Sequence, residues 1–345
     1  MGDPKHDWNI KKTRAREAMR LMPRTGRLVD WGEVEVAQID TGINRHPTFG
    51  PWTDGASPFV RMGTDQNLVE EGTQPIDPLD YKGNPGHGIR TASVLNGRPI
   101  AGAGFAGGVA PGLPLVPYRA VTSVIPFSRK EQARLARAIE RAVDHDCGVI
   151  SMSMGSPLVT LPRPSRLGAA IDRAYEAGII VVAAGGQKTD MVTYPGKFTR
   201  TIGVGGTRPD DKVFHKYSLR TAQWIDVWAP AAKIFRASSR LDDGAIVEAR
   251  YKFARGTSYA ATHVAAAAAM WLAYHGDSLH SAYPEAWQRV EAFRWLVGET
   301  GSPVKGSYWP TKPIGILNIE RLLKAELPAA GTLVWEQRRA ALEWM

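Results

Sequence analysis

The stretch that decides the fold is GTSYAATHVAAAAAM, residues 256–270. Alanine is the best helix former and its side chain occupies little volume, so the alanines at 265–269 predict a helix packed tightly against its neighbours. Ser258 then lies in the first turn of that helix, where free backbone N–H groups and the helix dipole favour a developing negative charge. A serine in this position can cap the helix or act as a nucleophile, and the rest of the sequence must decide between the two.

Apolar runs and amphipathic segments alternate upstream of this helix. Short apolar runs predict buried strands at 34–40, 148–155, 179–184 and 201–206. Helices are predicted at 128–145, which opens with the capping-box pair Ser128 and Glu131, and at 165–177. This order predicts an α/β fold of three layers, in which a mostly parallel central sheet carries helices on both faces.

The last part of the chain predicts closing helices at 284–298 and 316–326, followed by a tail. The tail, 327–345, has apolar residues at Val334, Ala341 and Trp344, and we expect it to be helical. No internal repeat and no break in composition divides the chain. The sequence therefore predicts a single domain over residues 1–345.

Composition and charge restrict the classes of partner. The 345 residues are 43% apolar and 22% charged, with a formal net charge of +9. The sequence contains no apolar run of about 18 residues, so it predicts no membrane-spanning helix. The basic residues are dispersed, and neither a zinc-finger spacing nor an RNP-like aromatic motif accompanies them, so nucleic acid is not the expected partner. The sequence gives no indication of the oligomeric state.

Two features bear on the compartment. The N-terminus is polar and basic, without the apolar core of a secretory signal, and Cys147 is the only cysteine. We therefore expect a cytoplasmic protein. Export that does not use a recognisable N-terminal signal is the alternative.

A serine nucleophile needs a base that takes its proton and a third group that orients the base. His87 lies in GHGIRTASVLNG, residues 86–97, where glycines flank it at the start of a small-residue helix. Asp40 opens DTG, residues 40–42, at the end of a predicted strand. Because active groups of open parallel sheets gather beyond the carboxyl ends of the strands, Asp40, His87 and Ser258 are the candidate catalytic residues.

In these motifs the sequence resembles the subtilisin-like serine proteases, the subtilase family. DTGINRHP at 40–47 resembles the aspartate motif of the family, GHGIRTASVLNG its histidine motif and GTSYAATHVA at 256–265 its serine motif. The order aspartate, histidine, serine is also the order of the family. Ile89 and Arg90 stand where Thr-His is usual. The likeness extends over about residues 7–326 and includes GVAPG at 108–112, VISMSMGS at 149–156 and DVWAPA at 226–231.

The resemblance implies a serine endopeptidase acting on proteins or peptides without a cofactor. Ser258 would attack the scissile carbonyl, His87 would accept the serine proton, and Asp40 would hold the imidazole. The backbone N–H of Ser258 would donate to the oxyanion. The residues that would line the bound substrate are Ser153, Met154, Gly155 and Thr193.

One departure from the family pattern concerns the second oxyanion donor. Where the family has an asparagine, the segment VVAAGGQ places Gly186. Either Gln187 reaches the oxyanion from one position later, or the site is slow or does not catalyse at all. The alternative reading is therefore a catalytically impaired binding protein with a protease fold.

Calcium receives little support from the sequence. A position that supplies a calcium ligand in the family, eight residues after the aspartate, is occupied by Thr48. The acidic loop 65–80 could bind a cation through oxygen ligands, but a solvated acidic loop is the favoured explanation of its composition.

Overall fold

A parallel β-sheet forms the centre of the protein in the computed structural model, which describes residues 6–53, 56–158, 165–217, 222–305 and 314–343. The chain begins with α1 (Trp8–Lys12), α2 (Ala15–Leu21), β1 (Arg24–Thr25) and β2 (Leu28–Val29). The strands of the central sheet are β3 (Val36–Asp40), β4 (Leu115–Arg119), β5 (Val149–Met152), β6 (Ile180–Ala184), β7 (Ile202–Thr207) and β8 (Val227–Pro230). Their spatial order is β4-β3-β5-β6-β7-β8, and every neighbouring pair is parallel.

The remaining elements surround this sheet. They are α3 (His87–Asn96), α4 (Arg129–Asp144), α5 (Arg166–Glu176), β9 (Ile234–Asp242), β10 (Ala245–Ala254), α6 (Thr257–His275), α7 (Asp277–Ala282), α8 (Trp287–Glu299) and α9 (Ile319–Lys324). The predicted three-layer α/β fold is therefore confirmed. The strands predicted at 34–40, 148–155, 179–184 and 201–206 correspond to β3, β5, β6 and β7.

The two faces of the sheet carry separate cores. Along β6, Val181 and Ala183 pack into the cluster that contains the apolar residues of α4 and α5. The alternate residues of the strand, Ile180 and Val182, pack into the cluster that contains the alanines of α6. Because successive side chains of a strand point to opposite faces, a strand that is apolar throughout is the pattern of a sheet covered on both sides.

Helix α6 lies directly against the sheet. All five alanines at 265–269 are fully buried, and the helix contacts β5, β6, β7 and β8 as well as α3. The predicted tight packing of this helix is confirmed. Helix α4 likewise begins as predicted: the hydroxyl of Ser128 accepts from the Glu131 N–H, and the Glu131 carboxylate accepts from the Ser128 N–H.

The hairpin of β9 and β10 was not predicted, although the sequence carries its turn signal. Ala245 pairs with Asp242, so the loop consists of the two residues Asp243 and Gly244, both at positive φ (47° and 78°). Asp-Gly is a favoured pair for a two-residue hairpin turn of this kind. The hairpin leads through Gly256 directly into α6 and packs on α3.

The tail corrects one expectation. Instead of a helix over 333–344, the described part of the tail has short 3₁₀ turns at Ala330–Thr332 and Ala340–Leu342; Trp344 lies outside the described residues. The backbone N–H groups of Ala340 and Ala341 donate to the buried carboxylate of Asp172 on α5, at 2.8 and 3.0 Å. These donors stabilise a non-helical tail held against α5, a long-range contact that outweighs the local apolar spacing.

His263, one turn after Ser258 on α6, is fully buried and neutral. Its Nδ1 lies 2.6 Å from the carbonyl oxygen of Tyr259, so Nδ1 carries the proton, and Nε2 accepts from the side-chain amide of Asn9 at 2.9 Å. Burial lowers the pKa of His263 from 6.5 to about 4, and burial also lowers the pKa of His46 to about 4.

We expect the free energy of unfolding to fall as the pH decreases from about 6.5 to about 4. In that window the unfolded chain binds protons at both histidines while the folded chain does not, at about 1.4 kcal/mol per pH unit for each histidine. Denaturant unfolding at several pH values measures this slope. The variant His263→Gln retains His46 and should show a smaller slope whatever its absolute stability. An unchanged slope would contradict the assignment.

Candidate active site

Asp40 ends β3 with its carboxylate buried beneath the carboxyl edge of the sheet. The side chain accepts from the Thr41 N–H at 2.8 Å and from the Thr91 hydroxyl at 3.0 Å, and the residue is only 1% exposed. Both partners donate hydrogen bonds, and the oxygen atoms of a carboxylate can accept several such bonds. Asp40 is therefore held in one orientation, with oxygen atoms left to bind a further donor.

His87 is the first residue of α3, and its imidazole is the further donor that the Asp40 carboxylate binds. Its Nδ1 lies 2.8 Å from Oδ1 and 3.0 Å from Oδ2 of Asp40. An ionised carboxylate only accepts, so the proton sits on Nδ1 and Nε2 is left with a free lone pair. Gly86, which precedes the helix, adopts φ of +67°, a left-handed conformation that glycine enters without steric cost.

Ser258 completes the row. Its Oγ lies 3.2 Å from Nε2 of His87 and 3.0 Å from the carbonyl oxygen of Ser153, and the Ser153 hydroxyl in turn donates to the Ser258 carbonyl at 2.9 Å. The structure thus brings the three residues predicted from the motifs, Asp40, His87 and Ser258, into one chain of hydrogen bonds. Such an arrangement can move a proton from a hydroxyl to an imidazole.

A cleft of about 190 Å³ opens beside Ser258. Every residue predicted to form the oxyanion site or to line the substrate lies on its wall, namely Ser153, Met154, Gly155, Gly186, Gln187, Thr193 and Ser258. The lining also has an apolar part that includes Val124, Ile125 and Phe127; Phe127 is largely exposed, and the Val124 carbonyl accepts from the Gly155 N–H at 3.0 Å. The cleft therefore offers backbone edges, one hydroxyl and an apolar wall to a ligand.

Gly186 could not carry an asparagine side chain in this structure. It has φ of +89°, and a Cβ there would lie 2.8 Å from Oγ1 and 2.9 Å from Cγ2 of Thr193. A Cβ on Gly155 would lie only 2.0 Å from the same Oγ1. Thr193 thus occupies the volume that side chains at 155 and 186 would need, which explains glycine at both positions.

Gln187 is anchored on the start of α6. Its Oε1 accepts from both the N–H and the hydroxyl of Thr257, each at 2.7 Å. Because both partners are donors, the amide orientation is fixed, and Nε2 is the group left for a ligand. Nε2 and the Ser258 N–H both lie within 4 Å of the point where a Cβ on Gly256 would stand, at 3.4 and 3.9 Å. Two nitrogen atoms that can donate hydrogen bonds therefore lie near Gly256, at the start of the helix that carries Ser258.

Asp77 connects the loops that carry Asp40 and His87, and sequence reasoning missed this role by grouping it with the acidic loop. Its Oδ2 accepts from the Thr41 hydroxyl and the Gly86 N–H, both at 2.7 Å, and from the Tyr81 hydroxyl at 3.1 Å. Burial raises the pKa of this carboxyl above its usual value, and the donors oppose that shift. Nothing in the local sequence distinguishes Asp77 from its exposed acidic neighbours.

The other acids of the 65–80 loop do not converge on one point. Glu70 binds Arg119 at 2.9 Å, Glu71 binds Arg137 at 2.6 Å, and Asp65 contacts the His145 ring at 3.0 Å. Across the part of the chain that the structure describes, no group of three His, Cys, Asp or Glu side chains could hold a metal ion. Glu70 and Glu71 are thus each neutralised by a separate arginine.

A membrane-spanning helix was not expected. Among the helices within the described ranges, none combines the length and the apolar character needed to cross a bilayer.

Comparisons with known proteins agree with the geometry. A model of the subtilase family matches residues 32–293, a range that contains Asp40, His87 and Ser258. Subtilisin E of Bacillus subtilis (strain 168) is 29% identical over 248 residues, which cover 70% of this chain and 56% of that protein. The thermophilic serine proteinase of Bacillus sp. (strain AK1) is 31% identical over 243 residues, covering 68% and 51%. The chain thus spans about half the length of these relatives.

A solved structure shares the fold. The crystal structure of MycP1 with its N-terminal propeptide removed superimposes with a TM-score of 0.67 and covers 93% of this chain and 98% of that one. Its sequence identity to this chain is 21%, so the match concerns the fold alone.

The network around Asp77 yields a prediction about stability. Asp77→Asn replaces one accepting oxygen with an N–H₂ group that faces donors, and a buried donor left without a partner costs about 1–3 kcal/mol. We expect denaturant unfolding to show a loss of that size. Asp80→Asn, a change at an exposed neighbour, is the matched control and should leave stability nearly unchanged. Equal stability of the two variants would remove Asp77 from this connecting role.

Proposed function

The chain belongs to the subtilase family, and on that premise we propose that it is a serine endopeptidase in which Asp40, His87 and Ser258 act as the catalytic triad. The observation that carries the proposal is the continuous row of hydrogen bonds from Asp40 through His87 to Ser258. If Ser258 only capped the helix, no imidazole would be needed next to its Oγ. If Asp40 only stabilised its turn, no histidine would be needed next to its carboxylate.

The proposed reaction follows from the position of each group. Ser258 Oγ forms a bond to the scissile carbonyl carbon while its proton passes to Nε2 of His87. The C–N bond then breaks, and Nε2 returns the proton to the leaving amine. A water molecule repeats the sequence on the acyl-enzyme and releases the acid. Asp40 keeps the proton on Nδ1 throughout and stabilises the imidazolium.

The negative charge on the tetrahedral oxygen needs donors that are already in position. We assign the backbone N–H of Ser258 and Nε2 of Gln187 to this task. Support comes from the anchoring of Gln187 Oε1 on Thr257, which leaves Nε2 as the free donor beside Ser258. Donors that are fixed before the reaction stabilise the developing charge without reorganisation at the moment it forms.

The proposed substrate is a polypeptide that binds in extended form. Ser153, Met154 and Gly155 follow β5 and line the cleft, where a peptide can pair with them as an added strand. The apolar part of the lining, with Val124, Ile125 and Phe127, would contact side chains of the peptide at some distance from the scissile bond.

A second candidate is a protein of the same fold that binds peptides without hydrolysing them. The observation that favours it is the hydrogen bond from Ser258 Oγ to the Ser153 carbonyl at 3.0 Å, which is shorter than the 3.2 Å contact with His87. A hydroxyl has one proton, so donation to Ser153 withholds it from the base. Gly186, which stands where the family has an amide donor, also favours a protein that binds peptides without hydrolysing them.

A fluorophosphonate probe separates the two candidates. An activated Ser258 should be labelled within minutes in the folded chain, because its alkoxide character depends on His87. Ser258→Ala should abolish the labelling, and so should denaturation of the unmodified chain. Labelling is read by mass spectrometry of the modified peptide. Absence of labelling in the folded chain would favour the binding protein.

The oxyanion assignment is tested at Gln187. Gln187→Ala should reduce kcat on a peptide substrate by about 100-fold or more, the size of loss known for the corresponding donor of a subtilisin. Gln187→Glu preserves an oxygen that can accept from Thr257 but replaces the donor with a negative charge, and it should be at least as slow. An exposed glutamine outside the cleft provides the control, Gln337→Ala, for which we expect little change. Activity of Gln187→Ala within about threefold of the unmodified chain would contradict the assignment.

A further inference from the structure

A second concave site, which we call the basic pocket, lies between the hairpin of β9 and β10 and the start of α3. Its volume is about 440 Å³. Cationic side chains dominate its lining, namely Arg90, Arg236, Arg240, Arg250 and Lys252. It shares no lining residue with the cleft beside Ser258.

The basic pocket borders the catalytic histidine. Pro85, two residues before His87, forms part of its wall, and Arg90 lies on α3 three residues after His87, about 5 Å further along the helix. The carbonyl oxygen of Ser239, also on the wall, comes within 3.4 Å of the point where Gly86 would carry a Cβ. A polypeptide held at Ser258 would therefore reach the pocket within a few extended residues.

Most of the cations in the pocket lack an acidic partner. Arg240 pairs with Asp242, but in the described ranges no carboxylate forms an ion pair with Arg90, Arg236, Arg250 or Lys252. Arg236 is nine-tenths buried, and its hydrogen bonds go to neutral groups, the Tyr259 hydroxyl and the Ala237 carbonyl, both at 3.2 Å. Elsewhere a buried arginine is neutralised, as Arg200 is by Asp172 at 2.8 Å.

The wall also contains a buried hydroxyl that has no partner. Ser239 is 7% exposed, and its Oγ forms no hydrogen bond with any described residue. Buried hydroxyls are normally satisfied, and one that is not calls for an explanation. A ligand that accepts hydrogen bonds would supply a counter-charge for Arg236, Arg250 and Lys252, and rotation of the Ser239 side chain would let its buried hydroxyl donate to the same ligand.

The charge arrangement is costly for the protein on its own. Burial lowers the pKa of Arg90 below its usual value; repulsion from Arg236 adds to the lowering, and the carboxylates of Asp40 and Asp77 oppose it. Like charges held together in a partly buried position destabilise each other, and an anion between them would relieve both the desolvation and the repulsion.

We propose that the basic pocket binds an acidic side chain of the polypeptide substrate, within a few residues of the scissile bond, and so gives the protease a preference for Asp or Glu there. The inference rests on the proposed function, because it names a substrate residue of the same site. A carboxylate accepts from arginine in a fork geometry and from a hydroxyl at once. The adjacency to His87 favours a peptide over a nucleic acid, since a chain bound for hydrolysis already passes this point.

Cleavage of a peptide library by the unmodified chain, read by mass spectrometry, should show Asp and Glu enriched at one position near the cut. A synthetic peptide with Glu at that position should then be cleaved with a kcat/KM about tenfold above its Gln counterpart, the scale of one charge-assisted hydrogen bond. Added salt should reduce the ratio. A ratio near one would overturn the inference while leaving the proposed function in place.

Variants of the pocket residues test whether the preference for the Glu-peptide arises in the basic pocket. Arg250→Gln and Lys252→Gln should each lower the ratio of Glu-peptide to Gln-peptide cleavage at least about threefold, because they slow cleavage of the Glu-peptide more than that of the Gln-peptide. Lys233→Gln is the matched control, because it removes a positive charge just before the same hairpin but outside the pocket. Equal ratios in all three variants would overturn the assignment of the acidic preference to this pocket.

A binding measurement separates this inference from the proposed function. The full-length Ser258→Ala chain should bind the fluorescent Glu-peptide about tenfold more tightly than the Gln-peptide, and Lys252→Gln should abolish the difference. If no peptide is cleaved but this difference persists, the proposed function fails and the pocket assignment stands. Binding of a labelled oligonucleotide that is lost in Lys252→Gln, without any Glu preference, would overturn the inference in favour of a phosphate-binding surface.

Discussion

The close packing of α6 against the parallel sheet is the constraint on which the rest of the structure depends. Five consecutive alanines, 265–269, are fully buried between the sheet and its neighbours. Extra methylene groups in a packed core cost about 1–3 kcal/mol, and in this run they would push the helix away from the strands. Ser258 lies in the first turn of the same helix, so the separation between helix and sheet also sets the distance from Ser258 to Ser153 beyond β5.

Backbone contact fixes the relative positions of Asp40 and His87 in the same way. A Cβ on Gly88 would lie 2.0 Å from the carbonyl oxygen of Gly42, so the first turn of α3 sits directly on the turn that follows Asp40. The 2.8 Å contact between Asp40 and His87 is therefore set by two main-chain segments that no side chain separates. Rigid supports of this kind hold a reacting group more closely than long side chains on loops could.

The sequence predicted those features that depend on local signals. The capping box at Ser128, the apolar strands and the three motif residues were recovered because each is encoded within a few positions. The tail was predicted wrongly because its conformation depends on Asp172, more than 160 residues away along the chain. Asp77 was missed because only the folded chain brings Thr41 and Gly86 to its carboxylate. The hairpin is a different case, because the sequence contains its turn signal, Asp243-Gly244, but the hairpin was not predicted from it. The prediction of one domain over the whole chain stays a prediction.

Gly186, Thr193 and Gln187 depend on one another at the proposed oxyanion position. Thr193 fills the volume beside Gly186, so an asparagine at 186 would collide with it, and glycine with its positive φ is the residue that fits. Under the proposed assignment, the amide donor is carried one position later by Gln187, whose side chain is fixed by Thr257 at the start of α6. On that proposal, an asparagine at 186 would require a smaller residue at 193, and only then would Gln187 become dispensable. The glycine at 186, which the sequence alone presents as a missing amide, is in the fold the consequence of the neighbouring Thr193 side chain.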